Sequence, residues 1–170
     1  DTRSPGQTKP IRILIVEDHP IFRMGLEDLI QQEKDLAICG TAEDVAEARK
    51  AIARLEPDMV IVDLSLKTSN GLELVRQVVQ DRKELPILVL SMHDNPEYVL
   101  EAVRAGADGY ILKDVGPGEL REAVQAVVDG REYFTDRVTH QLSVALREEL
   151  ERERQRSKLD QLTGREREVL

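Results

Sequence analysis

Five short aliphatic runs, separated by stretches of helical periodicity, constrain the fold of this chain more than any other feature. The runs are IRILIV (11–16), LAICG (36–40), Asp58 to Val62, PILVLS (86–91) and GYILK (109–113). The third, Met-Val-Ile-Val with no polar interruption, suits a strand covered on both faces, as in a parallel sheet flanked by helices. Between the runs, apolar residues recur at helical spacing: Phe22, Leu26, Leu29 and Ile30; then Val45, Ala48, Ile52 and Leu55; then Leu72, Leu74, Val75, Val78 and Val79. A fourth helix carries Val99, Ala102 and Val103 and ends near Gly106, and a fifth runs from Gly116 to Val128, ended by Gly130. Pro20 and Pro96 suit first helical turns, where the missing N–H is no loss.

This alternation predicts an α/β fold: a doubly wound five-stranded parallel sheet with right-handed crossovers. Strand order 2-1-3-4-5 is the natural choice for the length, although the pattern alone does not derive it. That order would bring Glu17 and Asp18, after the first strand, beside Asp63, which closes the third. Ser91 closes the fourth strand and Lys113 the fifth. In open α/β sheets the ligand crevice lies outside the carboxyl ends of the strands.

Three carboxylates gathered there repel one another. At about 4 Å and an effective dielectric near 20, each like-charged pair costs on the order of 4 kcal/mol. The cluster therefore calls for a cation, and oxygen ligands at an open site suit Mg2+. With a hydroxyl and an ammonium facing it, the set fits phosphoryl transfer, in which a protein chiefly positions groups and neutralises charge.

Glu17-Asp18, Asp63, Ser91, Tyr110 and Lys113, with Asn70-Gly71 and the run RAGADGYILKD (104–114), closely resemble the bacterial response-regulator receiver domain. The resemblance covers about residues 11–130. It implies a flavodoxin-like receiver that accepts a phosphoryl group on Asp63 from a phosphohistidine of a sensor histidine kinase. It further implies that Asp18, Asp63 and the backbone carbonyl of Ser65 ligate Mg2+ directly, with Glu17 acting through water. Lys113 would pair with the acyl phosphate. Ser91 would be the switch hydroxyl, with Tyr110 moving inward as Ser91 vacates its space. Such a protein is a phosphoacceptor with slow self-dephosphorylation at most, not an enzyme.

Each position also has a plainer reading. Asp63 could cap a turn, Glu17 could be a solvated loop acid, Ser91 a helix cap, Tyr110 a half-buried packing residue and Lys113 a surface cation. His19 and His93, lacking a paired ligand pattern, are read as having no metal or acid–base role, and Cys39 as a small core residue. Lys67 and Asp114 stand where the family often has proline. Met92 is larger than the residue often found after the switch hydroxyl, and is expected to slow labelling of Asp63 by small phosphodonors.

Beyond residue 131 the character changes. Val138, Leu142, Leu146 and Leu150 fall on one helical face, while residues 151–156 carry no apolar stripe. A helical linker is expected over 132–160; from Asp136 to Lys158 it would span about 33 Å at 1.5 Å per residue. Residues 161–170 are read as the truncated start of a further domain: LTGREREVL (162–170) has a capping-box form, Thr163 with Glu166, and resembles the opening of a LuxR-type helix-turn-helix domain. By that resemblance the whole is a NarL/FixJ (LuxR-type) response regulator, and the chain stops before a recognition helix. The acidic balance agrees: with 24 basic against 33 acidic residues and a net charge of −9, the chain is not expected to grip DNA unaided, since a compact nucleic-acid binder normally shows a basic face.

Residues 1–10 are read as a flexible lead-in and 11–131 as the receiver. The single cysteine and the lack of an apolar run of membrane-spanning length point to a reducing cytoplasm. A homodimer on activation is expected, with DNA engaged only through the missing domain. A rival is an aspartate-nucleophile phosphohydrolase, although Ser65 stands where that class needs a second Asp as general acid. Another is a receiver with a non-DNA output.

Overall fold

A computed structural model describes residues 9–168. Within them the strands are β1 (Ile11–Val16), β2 (Leu36–Ala42), β3 (Met59–Asp63), β4 (Ile87–Ser91), β5 (Gly109–Leu112) and β6 (Tyr133–Phe134). The helices are α1 (Pro20–Gln31), α2 (Val45–Leu55), α3 (Gly71–Asp81), α4 (Pro96–Ala105), α5 (Pro117–Val128) and α6 (Asp136–Glu168). All strand pairs are parallel, in the order β2-β1-β3-β4-β5-β6. The expected order is thus present, with a sixth strand added at the edge of β5. Two residues are too few to show a period of two, so Tyr133 and Phe134 read as part of the linker in sequence.

Side chains alternate between the two faces of the sheet. Leu14, Val16, Val60, Val62 and Val89 pack on one face under α2, α3 and α4, together with Ala48, Ile52, Leu74, Val75, Val99 and Ala102. Ile13, Ile15, Ile61, Leu88 and Leu90 pack on the other with Leu26 and Ile30 of α1 and Leu120 and Val124 of α5. Each such burial is worth roughly 1.5–3 kcal/mol, so the two faces fix the register. β2 skips a position against β1, with Ile13 opposite Ile38 and Leu14 opposite Gly40. Cys39 sits at that irregularity, half-buried and free.

Local chemistry sets the helix ends. Asp44 caps α2 by accepting from Glu47 N at 2.8 Å, and Asn70 caps α3 by accepting from Leu72 N at 3.0 Å. Gly106 ends α4 at φ 105°, a conformation that favours glycine. α6 runs without a break through Thr163, whose hydroxyl donates to Leu159 O at 2.9 Å. Thr163 therefore back-bonds within a helix and does not begin one, because the solvated stretch before it offers good helix formers and no stop signal. Val169 and Leu170, and residues 1–8 of the lead-in, lie outside the described residues. No described helix is long and apolar enough to cross a membrane.

Candidate functional site

The order β2-β1-β3 makes the site. Val16 pairs with Val62, so Glu17 and Asp63 follow at neighbouring positions of adjacent strands. Both side chains are buried, Glu17 and Asp63 each at 1% exposure, which removes the solvated-acid reading of Glu17. Lys113, directly after β5, lies with its side chain 7% exposed and donates to Glu17 Oε1 at 3.1 Å and to Asp63 Oδ2 at 3.0 Å. It is no surface cation. Its ammonium also sits over the Phe22 ring, 4.5 Å from the centroid, a contact that shields one side of the charge from water.

The second oxygen of Asp63, Oδ1, accepts from Ser65 N at 2.9 Å. Asp18 Oδ2 accepts from Lys67 N at 2.7 Å, tying the loop after β3 to the end of β1, while Asp18 Oδ1 is buried without a donor. Glu17 Oε2 lies 3.0 Å from Lys113 Nζ but receives no well-directed hydrogen bond. Burial pushes the Glu17 carboxyl up to about 7; the nearby Asp63 charge adds to the rise and Lys113 opposes it.

Those two carboxylates are therefore short of positive charge, and their undonated oxygens fit a hard divalent cation. The grouping differs from the sequence expectation. Among the described residues, ligand atoms of Glu17, Asp18 and His19 lie within 4.8 Å of one another, while Asp63 is not in that group. Lys113 bridges Asp63 to Glu17 of that group, and His19 joins because its position at the start of α1 places it directly after the acid pair. No motif signalled His19 beyond its adjacency to those acids. Ser65, the expected carbonyl ligand, is exposed in the loop after β3, and its N–H is engaged by Asp63.

Ser91 and Tyr110 are each fully buried, so Tyr110 is not a half-buried surface residue. Ser91 Oγ accepts from His93 N at 2.9 Å, and Tyr110 Oη donates to His93 O at 2.5 Å. The N-cap position of α4 is Asn95, whose side chain makes no capping hydrogen bond, and not Ser91. Burial raises the Tyr110 phenol above its ordinary value. Met92 stands 69% exposed beside this loop.

The response regulator receiver domain family matches residues 13–125 of the chain. The transcriptional regulatory protein DegU of Brevibacillus brevis is 34% identical over 132 residues, covering 78% of this chain and 56% of that protein. The chain thus spans little more than half of that relative's length. The DNA-binding transcriptional activator DevR/DosR of Mycobacterium tuberculosis is 34% identical over 160 residues, covering 94% of this chain and 72% of that protein. A two-component response regulator of the LuxR family from Aurantimonas sp. SI85-9A1 superposes with a TM-score of 0.75 at 33% identity, covering 79% of this chain and 96% of that one.

Proposed function

Because the chain belongs to the response regulator receiver family, of the LuxR type, we propose that a sensor histidine kinase phosphorylates it on Asp63 in a Mg2+-dependent reaction, to control a DNA-binding output domain. The observation that carries this reading is the position of Lys113 between the buried carboxylates of Asp63 and Glu17. A carboxylate held this way, one oxygen on a backbone N–H and the other on an ammonium, is oriented as a nucleophile.

In the transfer, an Asp63 carboxylate oxygen bonds to phosphorus as the bond from phosphorus to the histidine nitrogen breaks. Mg2+, held directly by Asp18, Asp63 and the Ser65 carbonyl with Glu17 acting through water, would supply charge neutralisation for the phosphoryl oxygens. Lys113 then pairs with the acyl phosphate. Ser91 exchanges its bond from His93 N for one to a phosphoryl oxygen, and Tyr110 holds the inward place with its hydroxyl on His93 O. The phosphoryl group stabilises only the conformer that offers it these donors, so it acts by shifting populations.

The output assignment draws on the name of DevR/DosR, a DNA-binding transcriptional activator, and on the LuxR-like pattern of 161–170. The same reading places the chain in the cytoplasm and makes it a homodimer when activated. Sizing the chain with and without beryllofluoride and Mg2+ tests the occupation of Asp63 and the dimer together. Mg2+-dependent binding accompanied by a shift to dimer is expected. Failure to bind in the presence of Mg2+ would overturn the reading of Asp63, and binding with no change of size would overturn the dimer.

A further inference from the structure

The first turn of α6 touches both loops that leave the site. Arg137 donates to Asp94 Oδ2 from Nε at 3.0 Å and from Nη2 at 2.7 Å, and its Nη1 lies 3.5 Å from Asp114 Oδ2. Asp94 stands three residues after Ser91, and Asp114 directly follows Lys113. The next residue of α6, Val138, is fully buried and belongs to the same apolar cluster as Tyr110 and Val99. Farther along, Arg104 of α4 pairs with Glu149 of α6. The linker helix is thus laid along α4, with its start pinned to the two segments that carry the switch hydroxyl and the ammonium.

Residues 91–94 form a short bracket. His93 donates its N–H to Ser91 Oγ and accepts from Tyr110 Oη through its carbonyl, and its ring stacks on Tyr98 at 5.1 Å between centroids. Anything that moves Ser91 or Tyr110 acts on His93, and Asp94 is covalently next. We propose that Arg137 is the group through which the linker helix reads the state of the site: its pairing with Asp94 and Asp114 is coupled to the inward arrangement of Tyr110. Occupation of Asp63 then tightens the start of α6 onto α4.

This inference rests on the assignment of Asp63 as phosphoacceptor. Its magnitude is bounded by physics. Arg137 is 57% exposed, Asp94 33% and Asp114 70%, and exposed ion pairs are individually weak. Coupling is also reciprocal: if the occupied site favours the pairing, the pairing favours occupation by the same factor. A two- to fivefold effect on affinity is therefore the expected size.

The test measures, on the 170-residue chain, beryllofluoride affinity in Mg2+ and amide hydrogen exchange over residues 137–146. In the wild type, beryllofluoride is expected to raise protection of this segment. Arg137→Gln should weaken beryllofluoride two- to fivefold and abolish the ligand-dependent protection, and the charge swap Arg137→Asp with Asp94→Arg should restore both in part, since the new Asp at 137 still faces Asp114. Unchanged affinity and protection in Arg137→Gln would overturn the role of Arg137 while leaving Asp63 intact. So would a wild type whose α6 protection ignores the ligand, or a charge swap that restores nothing. Absence of Mg2+-dependent binding in the wild type would instead defeat the assignment of Asp63, and the coupling with it.

Discussion

Lys113 crosses from the end of β5 to donate to Asp63 Oδ2 at 3.0 Å, at the end of β3, with β4 between the two strands in the sheet. The same ammonium serves Glu17 at the end of β1. One cation thus joins the first, third and fifth strands of the chain at a single rim, and it is the only partner that Asp63 Oδ2 and Glu17 share among the described hydrogen bonds.

Lys113→Met removes this counter-charge from two buried carboxylates. Breaking a buried pair in this way costs about 3 kcal/mol. Urea unfolding should show the loss, larger at pH 8 than at pH 6, because Glu17 can take up a proton at the lower pH. Added Mg2+ should recover part of it.

Glu17 gives the pH dependence a definite sign. Its folded value of about 7 lies above its ordinary 4.5, so between those values the folded state binds more protons than the unfolded one. The Glu17 contribution to stability is therefore full below pH 4.5 and is lost as the pH rises through 7. Without Mg2+, the difference in unfolding free energy between Glu17→Gln and wild type should grow in favour of the variant by on the order of 2 kcal/mol across that window. A flat difference would contradict the burial argument.

Gly71 opens α3 where a Cβ would lie 2.3 Å from the backbone oxygen of Asp63. Gly71→Ala must push the start of α3 away from the end of β3. A loss of about 2 kcal/mol is expected in denaturant unfolding, together with slower labelling of Asp63.

Met92→Ala should speed labelling by a small phosphodonor. With Met92 69% exposed, the gain is expected to be about two- to threefold, close to what clearing one flexible side chain from an approach path gives; about 1.4 kcal/mol would be needed for tenfold. Initial rates with acetyl phosphate provide the comparison, and equal rates would show that Met92 does not restrict access.

Much of this was legible in the sequence because burial on two faces writes itself as uninterrupted aliphatic runs. Met59 to Val62 could be read as a strand, and Asp63 as its end, for that reason. Bringing Glu17 beside Asp63 needed the strand order, which periodicity does not contain. Tyr133 and Phe134 were too short a strand to show alternation. The continuation of α6 past Thr163 was hidden because an exposed helix shows no apolar stripe, so a Thr-x-x-Glu pattern within it looks like a beginning. The closeness of His19 to the acid pair, and the reach of Arg137 to Asp94 and Asp114, depend on how α1 and α6 pack against the loops, and no spacing in the chain records that.

The central claim is that Asp63 is a phosphoacceptor served by Lys113 and an acid-bound Mg2+. Intact-mass measurement after incubation with acetyl phosphate tests it most directly, run on wild type and Asp63→Asn, with Mg2+ and with chelator. The account predicts a single phosphoryl group on the wild type in Mg2+, and none on Asp63→Asn or in chelator. Labelling that survives Asp63→Asn, or steady release of phosphate with no retained group, would contradict it.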